Sequence, residues 1–164
     1  MRTSIVFFCI LLGSLSSAAL SQSLWLEGGL GYDENKGTNT YDFSPKGGVR
    51  GTYPLLDAPL SRSGLYAAAA WRDGVLVDAG GWFTFLPEES ALYGFEAHLG
   101  TGLTYVEGSF GVALSAGLSY DITQGLALSF IYTHRPLLLP ELKQAFDLSA
   151  GVKIDLDEEI FGPR

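Results

Sequence analysis

Cysteine is all but missing from these 164 residues: the single one, Cys9, sits in an apolar run near the N-terminus. If that run is removed on export, the remaining chain can form no disulfide, no thiolate metal site and no cysteine nucleophile. Charge is scarce too. Asp, Glu, Lys and Arg make up 17% of the residues, 10 basic against 18 acidic, for a formal net charge of −8. Such a chain lacks the cationic footprint that phosphate backbones need, so nucleic acid is excluded as a partner. After the first two dozen residues, no run reaches the ~18 continuous apolar residues of a membrane-spanning helix. Any crossing must therefore be made by strands.

The N-terminus reads as a secretory signal peptide. Met1-Arg2-Thr3-Ser4 is short and positive, Ile5 to Leu12 is apolar, and small residues run from Ser14 to Ser21. Processing after Ala18, Ala19 or Ser21 fits equally well, so residues 1–21 are assigned to the signal. Cys9 is followed by Ile10, Leu11 and Leu12, so no lipoprotein-type processing site is visible. Losing Arg2 leaves 9 − 18 = −9 for the exported chain. The barrel region is then 22–156, with a short acidic tail at 157–164.

What the chain does have is glycine, 21 residues of it, and aromatic residues at 13%, spread over stretches of strict two-residue alternation. The clearest is 146–156. Phe146, Leu148, Ala150, Val152, Ile154 and Leu156 share one face, and Asp147, Ser149, Gly151, Lys153 and Asp155 share the other. Eleven residues is about the length of a tilted membrane-crossing strand and about twice that of an ordinary one. Similar alternation predicts strands at 23–33, 46–56, 64–72, 75–86, 91–105, 109–121 and 126–135. Arg72-Asp73-Gly74 and Glu107-Gly108 read as tight hairpins. Asp33 to Pro45 reads as the longest loop, 57–63 and 87–90 as turns, and 136–144 as a second loop, apolar at Leu137, Leu138 and Leu139.

Eight strands joined in sequence predict an all-β fold, an eight-stranded antiparallel up-and-down transmembrane β-barrel. The faces decide where it sits. The strongly apolar, aromatic face carries almost no charge, which suits lipid rather than water. The weaker face holds Gly, Ala, Ser and Thr with isolated charges, which suits a narrow lumen filled by side chains. Aromatics near strand ends, among them Tyr32, Tyr53, Trp71, Phe83, Phe85, Tyr93, Tyr105, Phe110, Tyr120 and Tyr132, are placed as interfacial girdles. The lumen charges are Glu27, Arg50, Arg72, Asp78, Glu96 and Lys153, with His98 beside Glu96 and with Asp147 and Asp155 nearer the strand ends. They form either a self-satisfied plug, which eight strands favour, or the lining of a selective pore.

On this architecture the chain resembles the small bacterial outer-membrane barrels of the OmpA transmembrane-domain and OmpX type. Ser149-x-Gly151-x-x-Ile154-x-Leu156 is similar to the C-terminal assembly signal of that class. The resemblance implies outer-membrane lipid as surroundings and the barrel-assembly machinery as a partner during biogenesis. Two departures stand out: eight residues follow Leu156, and Ser115-x-Gly117-x-x-Tyr120-x-Ile122 fits the same pattern internally. No peptidoglycan-binding domain follows the barrel.

Catalysis is not predicted. His98 and His134 are the only histidines, and neither has a nucleophile beside it by spacing. Asp155, Asp157, Glu158 and Glu159 lack the glycine-spaced ligand pattern of a calcium loop, and no cofactor or metal site is read. The functional expectation is a structural or interaction role in the envelope, with Leu137 to Leu139 as a loop for an envelope protein partner. The alternatives are a narrow porin-like channel and a soluble periplasmic ligand-binding barrel. Both termini are expected on the periplasmic side.

Overall fold

Each alternating stretch forms a strand over most of its length; of 91–105, residues 91–93 lie outside the described residues and Gly94 is a turn. In the computed structural model, residues 23–35, 40–86, 94–123, 125–139 and 143–156 are described; the predicted signal segment, the predicted turn 87–90 and the tail 157–164 lie outside them, as does Tyr93. The strands are β1 (Ser23–Asn35), β2 (Thr40–Ala58), β3 (Ser61–Trp71), β4 (Val75–Phe85), β5 (Phe95–Val106), β6 (Ser109–Thr123), β7 (Leu126–Leu139) and β8 (Lys143–Asp155). Each pairs antiparallel with its sequence neighbours, and β8 returns to β1, closing an eight-stranded barrel. Among the described residues there is no helix.

The register sets the tilt. Lateral partners run Ser23–Thr52–Tyr66–Gly80–Gly102–Ala113, then across the continuous β6–β7 ladder to Arg135, and on to Ala145 and Asp33. One circuit therefore returns to β1 ten residues from its start (33 − 23). A stagger of that size in eight strands corresponds to a tilt of roughly 40°. At ~3.3 Å per residue, even the 11-residue strands then rise about 28 Å, enough for the ~25 Å apolar band of a membrane barrel.

Glycine is demanded where the backbone or a lumen side chain comes close. At the β1–β8 seam a Cβ on Gly151 would fall 2.0 Å from the Leu26 carbonyl oxygen. At Gly31 it would fall 2.0 Å from Cδ of Arg72. The Glu107-Gly108 hairpin has positive φ at both residues (47° and 89°), the pair of left-handed conformations that a two-residue hairpin turn needs.

Side-chain direction follows the predicted faces. Leu99, Leu103, Phe130 and Leu148 are exposed, whereas Asp147 and Arg135 on neighbouring positions are fully buried. This is a soluble protein turned inside out. Rings collect at both ends of the outer face: Tyr32 stacks on Phe146 at 4.8 Å and approaches Phe43 at 5.8 Å near the hairpin end. Phe95 meets Tyr120 at 4.7 Å near the end that carries the termini.

Four expectations are corrected. Most of the predicted 33–45 loop is strand: Tyr32, Asp33 and Glu34 pair with Phe43, Asp42 and Tyr41, leaving only 36–39 between β1 and β2. The predicted 136–144 loop is also largely strand, with Pro136 opposite Gln144 and Leu137 opposite Lys143. Leu137 is thus not on a loop; it points inward and is buried, while Leu138 and Leu139 are exposed on the last positions of β7. Because β7 continues to Leu139, Tyr132 is mid-strand rather than near a strand end, though its ring still reaches the girdle, stacking on Phe146 at 6.3 Å. The 57–63 turn shrinks to residues 59–60, and the Pro54 that weakens β2 sits at a register shift in the β2–β3 ladder.

Candidate functional site

Buried charged side chains of the described residues gather in the lumen, and alternate residues of the strands build it. Among the described residues, five buried cations (Lys46, Arg50, Arg72, Arg135, Lys153) meet four buried anions (Glu27, Asp78, Glu96, Asp147). Asp33 and Asp155 add carboxylates at the two mouths. All seven residues predicted for the lumen network, Glu27, Arg50, Arg72, Asp78, Glu96, His98 and Lys153, are buried inside the barrel.

Toward the hairpin end lies the densest cluster. Arg135, fully buried on β7, reaches across the lumen to Asp78 on β4 through two bonds, Nε at 3.1 Å and Nη2 at 2.6 Å. Its Nη1 donates to Asp147. Asp147 also binds Lys46 at 3.2 Å and Arg72 at 3.1 Å, so one carboxylate gathers three cations. The Thr104 hydroxyl donates to Asp78 at 2.5 Å, and Arg72 continues outward to Asp33 at 2.7 Å. Gly31 leaves the space that the Arg72 stem fills. Beyond this cluster, Leu76, Val106, Leu137 and Ala145 pack together and seal the hairpin end with apolar side chains.

Mid-lumen, Arg50 pairs with Glu27 at 2.9 Å. Its N–H is not directed along that line, so the contact is a charge pair rather than a hydrogen bond. The guanidinium also lies over Tyr66 and Trp25, with its carbon 5.2 and 5.9 Å from the ring centroids. Nearer the termini, Lys153 binds Glu96 at 2.7 Å and Asp155 at 3.1 Å. The mouth beyond them is a vestibule of about 210 Å³ walled by Trp82, Thr84, Asp57 and Arg62, among others. Between it and the hairpin end lie the ion pairs and the apolar cluster.

The structure adds to the set read from sequence. Lys46 and Arg135 carry the hairpin-end cluster, yet both lay beside segments read as loops; continuing the β7 alternation Ala127, Ser129, Ile131, Thr133 by one step reaches Arg135. Ser119 was also missed. It sits opposite Glu96 in the β5–β6 ladder, and its hydroxyl lies 2.7 Å from His98 Nε2 and 3.2 Å from Glu96. This is a serine, a histidine and a carboxylate together, but not in catalytic order. The other ring nitrogen of His98 meets the neutral Thr84 hydroxyl at 2.8 Å instead of a carboxylate, and Ser119 is buried. The arrangement satisfies polar groups inside the wall. His134 is elsewhere, on the outer face, with Gln144 at 2.5 Å. Among the described residues, no group of three or more His, Cys, Asp or Glu could hold a metal ion. The predicted assembly-signal residues divide by face: Ser149 and Gly151 turn inward, while Ile154 and Leu156 turn outward.

Comparison with solved structures bears on this geometry. Neisserial surface protein A superposes with a TM-score of 0.54 at 15% identity, covering 81% of this chain and 96% of that one. This is the fold of a small transmembrane β-barrel. A de novo designed transmembrane barrel gives 0.51 at 18% identity over 82% and 95% of the two chains. The outer-membrane protein OprG of Pseudomonas aeruginosa follows at 0.46 and 12% identity, over 82% and 95%. No protein-family model matches the chain, and no curated protein matches it in sequence.

Proposed function

We propose that this protein is a non-conducting outer-membrane barrel with a structural or interaction role in the cell envelope, its termini facing the periplasm. The observation that carries this reading is the lumen: buried charges paired across it from β4 to β7, closed at one end by Leu76, Val106, Leu137 and Ala145. An aqueous path through the barrel would require the Arg135–Asp78 and Arg135–Asp147 pairs that span it to part. The outward apolar band, the girdles and the N-terminal signal segment support export to the outer membrane. The same surface argues against a soluble ligand-binding barrel, which would put this much exposed leucine and phenylalanine in water.

Ser149, Gly151, Ile154 and Leu156 serve in this reading as the segment met by the barrel-assembly machinery, and Gly151 as the residue that lets β1 close on β8. Planar-bilayer recording of folded protein tests the functional claim. The proposal expects no steady conductance steps; a reproducible unitary conductance would establish a channel instead.

A further inference from the structure

We draw no further inference here: the strongest candidate, the vestibule of about 210 Å³ at the end of the lumen that carries the termini, has its charged lining residues paired with one another, Lys153 with Glu96 and Asp155 and Arg62 with Asp57, and nothing in the structure shows what would fill it.

Discussion

Replacing Arg135 by leucine is the sharpest perturbation available. Arg135 is fully buried and is bound by both oxygens of Asp78 and by Asp147. Its loss leaves Asp78, itself buried, with the Thr104 hydroxyl alone among the partners described above. Asp147 keeps Lys46 and Arg72. The damage thus concentrates on one uncompensated carboxylate, and stability should fall by about 3–5 kcal/mol. Asp78→Leu alone should cost a similar amount by stranding part of the guanidinium.

The double variant Arg135→Leu/Asp78→Leu removes one charge of each sign and leaves the Lys46–Asp147–Arg72 group intact. It should recover most of the loss, ending within about 2 kcal/mol of wild type, because an apolar pair can replace a buried ion pair at little cost. Urea unfolding in phospholipid vesicles, followed by tryptophan fluorescence, measures all four corners of the cycle. Additive losses in the double variant, or a single variant within about 1 kcal/mol of wild type, would refute the claim that these charges hold each other.

Other predictions follow from the same geometry. Gly31→Val would place a side chain in the space of the Arg72 stem and should destabilise by about 1–3 kcal/mol in the same unfolding assay. Gly151→Val would push β8 off β1 at the seam, so the fraction of chain showing heat-dependent mobility after refolding should drop sharply. Phe130→Arg, on the lipid side midway along β7, should cost about 2–4 kcal/mol in vesicles, whereas Leu138→Ser at the strand end should be close to neutral.

How much of this was legible in the sequence depended on where the two faces of a strand differ. Within the membrane one face meets lipid and the other a polar lumen, so strands such as 109–121 and 146–156 announce themselves by alternation. Beyond it that contrast fails. From Asp33 to Pro45 only Tyr41 and Phe43 are large and apolar, too few for a hydrophobic period, so the pairing of Asp33 and Glu34 with Asp42 and Tyr41 left no signal to detect. Leu137 to Leu139 fail in the opposite way: Leu137 caps the lumen with an apolar side chain while Leu138 faces outward, so an apolar run hides the strand. Arg135, the last residue of the strand read at 126–135, was not carried into the lumen set. The contact of Ser119 with His98 could not be read from spacing at all, since it depends on the β5–β6 register, which only the closed barrel fixes.

The central claim is a closed barrel in the outer membrane. It is tested most directly by extracting the protein from membranes in detergent and comparing its gel mobility before and after boiling. Because a closed ring leaves no backbone edge unpaired, the unboiled protein should stay folded and shift on heating, and it should come from the outer-membrane fraction. A single heat-insensitive band, with the protein recovered in the detergent-free periplasmic extract, would contradict the account.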